Sequence, residues 1–224
     1  MNIGIVIAVI DEFKTFLSSG FTLEKEIISN REIYKTKIGN NNIYVLNSGC
    51  GIIYASSATE FLISSLGCDY ILNYGVSGAL DKSLKVEDLF ILTHTIHYDY
   101  DVSNLDDVLK HQYSGYSSAL IGASKKLYDL VKKIEPSVKD AVCASGDKFV
   151  SIKEEKERLH SLGASICDME SAGIFLVSNF HKKEVLSIKC ISDTFDGDSK
   201  DYYLNVERSS KKAFEIIKKL LLSI

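Results

Sequence analysis

Proline is nearly missing from this chain. Pro136 is the only one in 224 residues, which leaves no place for the stiff or disordered linkers that separate modules. Nor is there an excess of positive charge: 26 Lys and Arg stand against 30 Asp and Glu, a net charge of −4. That balance removes the electrostatic case for a nucleic acid or an anionic membrane surface and leaves a small ligand as the expected partner. No apolar run is long enough to span a bilayer. The opening MNIGIVIAVIDEFK has no basic residue ahead of its apolar stretch and two acids directly behind it, which predicts a buried strand and not an export signal. Disulfide and metal frameworks are absent as well: the five cysteines, Cys50, Cys68, Cys143, Cys167 and Cys190, form no C-x-x-C pair. Most adjoin apolar residues, as buried free thiols of a reducing, cytoplasmic protein do.

What the chain does have is alternation. Short β-rich runs at 2–10, 32–38, 42–48, 69–75, 88–96, 140–145 and 184–191 are interleaved with helical patterns at 52–66, 118–134, 153–162, 170–180 and 202–222. In the last of these, Ala213, Ile216, Ile217, Leu220 and Leu221 keep the i, i+3, i+4, i+7, i+8 spacing of a core-facing helix. Strands that are apolar on both faces and alternate with helices predict one α/β domain over 1–224, with a mostly parallel or mixed sheet covered on each side. The pair 32–48, joined at GNNN, reads as an antiparallel hairpin.

In such folds ligands gather at the carboxyl ends of strands. Asp11-Glu12 follows the first strand, where a carboxylate can orient or deprotonate a water, or simply open a solvated helix. NYGVSGAL (73–80) places Gly75 and Gly78 after a strand, but it is neither a Walker loop nor G-x-G-x-x-G. SGDKFV (145–150) offers Phe149 for stacking on a planar base or for the core. KCISD (189–193) ends a strand on Ser192-Asp193, able to cap a turn or donate a proton. DMESAG (168–173) sets two carboxylates between an apolar run and a helix start. Other features carry little chemistry. KEEKERLH (153–160) reads as a solvated helix face, His94 and His97 point to opposite faces of a strand and do not make a zinc pair, and no Gly-x-Ser-x-Gly elbow supports covalent catalysis.

Taken in order, Ala8 to Glu12, Gly75 to Gly78, SGDKFV, DMESAG and ISD resemble the nucleoside phosphorylase and nucleosidase superfamily, and within it the bacterial 5'-methylthioadenosine/S-adenosylhomocysteine nucleosidases. The resemblance implies a three-layer αβα sandwich around a central mixed β-sheet. It also implies cleavage of the N-glycosidic bond of a purine nucleoside without cofactor or metal, by a homodimer. Asp193 then matches the acid that protonates the purine, and Glu12 the residue that activates water. Glu170 matches the carboxylate that holds the ribose hydroxyls and Met169 the side chain against the sugar. Phe149 matches the stacking aromatic, Val150 the residue whose backbone bonds the base, Gly78 a glycine of the binding loop, and Ser192 the neighbour of the acid.

Two positions depart from the family pattern: Val76 replaces a hydroxyl, and Lys189 replaces an arginine near the water site. Breaking the bond makes the sugar cationic and the base electron-rich, so Asp193 is expected to carry a proton while Glu12 and Glu170 stay ionised. Phosphate as nucleophile would need a cationic cradle. Asn73 stands where the hexameric phosphorylases have an arginine, and Arg31, Arg158 and Arg208 lie in no matching motif. Hydrolysis is therefore expected, with a phosphate-dependent phosphorylase and a non-catalytic nucleoside-binding domain as the alternatives.

Overall fold

A computed structural model describes residues 1–224. The elements in chain order are β1 (Asn2–Ile7), α1 (Ile10–Leu17), β2 (Glu24–Ile28), β3 (Arg31–Ile38), β4 (Asn41–Asn47), α2 (Ile52–Ser64), β5 (Tyr70–Ala79), β6 (Leu89–His97), β7 (Ile121–Gly122), α3 (Lys125–Ile134), β8 (Lys139–Ser145), α4 (Lys153–Ser161), β9 (Ile166–Asp168), α5 (Ser171–Phe180), β10 (Glu184–Asp193) and α6 (Ser199–Ser223).

The two-residue period of β1 explains the layering. Ile3, Ile5 and Ile7 join one core with α1, α3 and α6, while Val6 joins another with α2 and α5. A strand buried on both faces needs helices on both sides, and the central mixed sheet has them. β1 pairs in parallel with β4 and β5, and β5 with β10, whereas β6 runs antiparallel to β10. Because β10 bonds β5 as well as β6, the strands β10, β6, β8, β9 and β5 close on themselves at one end of the sheet. The hairpin at 32–48 is present as β3 and β4, with the antiparallel β2 added at the edge. No helix is long and apolar enough to cross a membrane.

Several boundaries differ from the sequence pattern, and β5 runs on to Ala79, so Gly75 and Gly78 lie within the strand and not after it. Residues 118–134 are not one helix: Ile121 and Gly122 pair with β6, and α3 begins only after Ser124, whose hydroxyl accepts from the Leu127 amide at 3.2 Å. The last helix starts at Ser199, where Asp198 caps it by accepting from the Lys200 amide at 2.7 Å. The first strand stops at Ile7. There Glu12 turns back to accept the Val9 amide at 3.1 Å, closing the first turn of α1. Asp11-Glu12 is thus a helix start, but only Asp11 faces solvent; Glu12 is 3% exposed.

Candidate active site

The parallel strands β1, β5 and β10 end on the same side of the sheet and carry Glu12, Gly75 to Gly78, and Ser192-Asp193 to one place. There a cavity of about 300 Å³ is walled by Glu12, Gly78, Phe149, Met169, Glu170, Ser192 and Asp193. Val150 is buried in a small recess next to it, which also touches Phe149 and Asp193. Phe149 is not a core residue: it is 41% exposed, and its ring meets Tyr202 edge-on at 5.9 Å. Lys189 lies deeper, 2% exposed, with its ammonium 2.8 Å from Asp168.

Two glycines make room for the acids. A Cβ at Gly75 would run into the Glu12 carboxylate, and one at Gly78 would lie 2.9 Å from Asp193 Oδ2. Glu12 accepts the Val76 amide at 2.8 Å as well as the Val9 amide. Burial raises its pKa, against the pull of Lys189 and of the two amides. Glu170 accepts from the Gly51 amide at 3.0 Å. Burial first, and Asp168 second, push its pKa up to about 7, against the pull of Lys189 and the Gly51 amide.

Asp193 is 2% exposed, and burial raises its pKa while the Ser192 hydroxyl and Lys156 pull it down. Ser192 Oγ sits 2.8 Å from Asp193 Oδ1 and 3.4 Å from the Ser77 carbonyl. These surroundings suit a proton donor.

Sequence reading gave Asp168 no role beyond its place at a helix start. It does start α5, accepting from the amides of Glu170 and Ser171 and the Ser171 hydroxyl. It also neutralises Lys189. Burial works against that ammonium, yet Asp168, Glu170 and Glu12 outweigh it and raise its pKa. Burial likewise opposes the Asp168 carboxylate, but Lys189 and the hydroxyls of Ser171 and Ser145 lower its pKa.

Cys50 departs from the buried-thiol expectation, being exposed at the cavity mouth, and Tyr202 and Tyr203 add an aromatic wall that no motif announced. The solvated-face reading of 153–160 fails at Lys156, which is fully buried. His97 pairs with Asp99 at 2.8 Å and with the Tyr113 hydroxyl at 2.7 Å, away from the cavity walls.

The profile of the Phosphorylase superfamily matches residues 2–222. An aminodeoxyfutalosine nucleosidase of Helicobacter pylori is 32% identical, over 98% of each chain. A 5'-methylthioadenosine/S-adenosylhomocysteine nucleosidase of Buchnera aphidicola is 30% identical, over 100% of this chain and 97% of its own. The solved 5'-methylthioadenosine/S-adenosylhomocysteine nucleosidase of Helicobacter pylori superposes with a TM-score of 0.92 at 28% identity, covering 100% of this chain and 99% of that one. With carboxylates at the ends of β1, β9 and β10 and a profile match from Asn2 to Leu222, this chain belongs to the phosphorylase superfamily.

Proposed function

We propose that the protein hydrolyses the N-glycosidic bond of a purine nucleoside of the 5'-methylthioadenosine/S-adenosylhomocysteine kind, releasing the free base and a ribose derivative. The observation that carries hydrolysis over phosphorolysis is the charge of the cavity. Glu12, Glu170 and Asp193 wall it, no lysine or arginine lines it, and Lys189 behind it is already paired with Asp168. Phosphate would meet carboxylates and no free cation. Arg31 donates instead to Ser57 at 2.6 Å, and Arg208 pairs with Glu87 at 3.1 Å.

Water is neutral and suits Glu12, whose raised pKa makes it a stronger base. In this reading Glu12 takes the proton of the attacking water, Glu170 holds the ribose hydroxyls, and Met169 packs on the sugar. Phe149 lies against the base, the Val150 backbone bonds its edge, Gly78 leaves room beside the acid, and Asp193 protonates the departing purine. Lys189 keeps the carboxylate group from repelling itself apart. A non-catalytic binder needs groups for the base and sugar, but not a buried carboxylate such as Glu12 at the cavity wall.

A homodimer is part of the proposal. Ile53 and Tyr54 on α2 and Phe180 on α5 are 78%, 65% and 81% exposed on neighbouring helices, an apolar face suited to a second copy. A cytoplasmic setting accords with five free thiols. The test is an assay with 5'-methylthioadenosine, S-adenosylhomocysteine, aminodeoxyfutalosine, adenosine and inosine, with and without phosphate. Free sugar in the absence of phosphate is the expected product; a sugar 1-phosphate would overturn the reading.

A further inference from the structure

Lys156 is the one buried residue on α4 apart from Leu159, on a helix whose other side chains are charged and largely solvated. Its exposure is 0%, a rare state for lysine unless something compensates the lost hydration. No carboxylate does. The ammonium donates to the carbonyls of Thr194, Phe195 and Gly197, at 2.9, 3.0 and 3.2 Å. Those three bonds use all three of its N–H groups. Every acceptor belongs to the short loop between Asp193 at the end of β10 and Ser199 at the start of α6.

The same ammonium therefore joins two walls of the cavity. α4 directly follows the segment that carries Phe149 and Val150, and the clamped loop directly follows Asp193. On its far side the loop leads into Ser199 and Tyr202, which also line the cavity. Neutral donors could hold a loop at lower desolvation cost, so a buried cation needs a further use. The acid supplies one. When Asp193 gives its proton to the purine it becomes a buried carboxylate, and a fixed positive charge nearby favours that product.

We propose that Lys156 is a positioning residue for the acid, fixing the loop behind Asp193 and stabilising the carboxylate left when its proton passes to the leaving base. The charged and polar groups facing Asp193 are Lys156 from α4, Asp201 from α6, Cys167 from β9 and Ser192 from its own strand. Lys156 is the only cation among them. Its removal raises the Asp193 pKa, because a neighbouring positive charge favours the ionised form. Turnover requires the protonated acid, so the alkaline limb of the kcat profile moves to higher pH while kcat at its plateau falls.

The proposal rests on the reading of Asp193 as the acid, and the experiment separates the two. Turnover of 5'-methylthioadenosine is measured across pH for the full-length wild type, Lys156→Met and Asp193→Asn, with thermal melts of each. Lys156→Met is expected to lower kcat by about ten- to a hundredfold, to leave KM within about twofold, and to shift the alkaline limb upward. If Lys156→Met does not fold, Lys156→Gln, which keeps donors without the charge, goes through the same pH series. An unmoved alkaline limb in the folded variant overturns the proposal, since a purely structural clamp would lower activity without shifting it. Near-normal turnover of Asp193→Asn overturns the reading of the acid itself, whatever Lys156 does.

Discussion

The two ends of the cavity use the same side-chain type in opposite ways. At one end Glu12 and Glu170 accept from backbone amides of Val9, Val76, Gly51 and Met169, while Asp168 holds Lys189. At the other end Asp193 has only the Ser192 hydroxyl at hydrogen-bond distance. Burial raises the pKa of both Glu12 and Asp193, so desolvation alone does not assign their tasks. The partners do. An amide can only donate, so two of them hold Glu12 toward the carboxylate, whereas a single hydroxyl is all that favours the ionised form of Asp193 by hydrogen bonding. One end is built to take a proton from water and the other to give one to a base.

Breaking the acid end has the largest expected effect. Asp193→Asn loses the transferable proton and keeps the shape, so kcat should fall by about a hundredfold to ten-thousandfold in steady-state assays. Turnover within a few-fold of wild type would erase the contrast between the ends. Next comes Asp168→Asn, which leaves the Lys189 ammonium buried without its carboxylate. Removing one partner of such a pair costs about 3–5 kcal/mol, measurable by urea unfolding. A loss below 1 kcal/mol, on the order of a surface ion pair, would mean that Glu12 and Glu170 can replace Asp168.

A smaller effect follows from Glu170, whose folded pKa of about 7 lies above its ordinary value of 4.5. Between those values the native state holds a proton that the unfolded chain has released, so this group's contribution to stability declines as pH rises through that window. Glu170→Gln should flatten that decline in melts recorded between pH 4 and 8, while turnover drops because the sugar loses its anionic anchor. An unchanged slope would place the titration on another group.

Much of this contrast was legible in the sequence, because strand-end motifs are local. Glu12 and Asp193 stand at the ends of readable apolar strands, which the parallel order of β1, β5 and β10 brings together, while Glu170 is marked only by its place at a helix start. What escaped were features that only distant packing creates. Lys156 sits in a stretch of six charged residues, a leucine and a histidine, and nothing in KEEKERLH marks which lysine turns inward; the acceptors lie some forty residues on, in backbone carbonyls that carry no residue signature. The three-residue β9 is too short for a period to register, and its Asp168 is as good a helix cap as a lysine partner. β2 is exposed along most of its length, so its EKEII lacks the apolar face that marks a buried strand.

The mildest test falls on Ser77, between the two ends. Its hydroxyl is the one buried side-chain oxygen or nitrogen with no hydrogen-bond partner in the protein, and the residue lines the cavity beside Val76 and Gly78. A buried hydroxyl without a partner has already lost its hydration, so deleting it forfeits no internal bond. Ser77→Ala should therefore leave unfolding free energy within about 0.5 kcal/mol of wild type, or raise it. Ser192→Ala, by contrast, removes the hydroxyl that favours ionised Asp193, and should move the alkaline limb of kcat upward as Lys156→Met does. If Ser77→Ala instead cost more than about 1 kcal/mol, its hydroxyl would be bonded to the protein in solution. The wall between the proton-taking and proton-giving ends would then be held by a polar contact and not by shape alone.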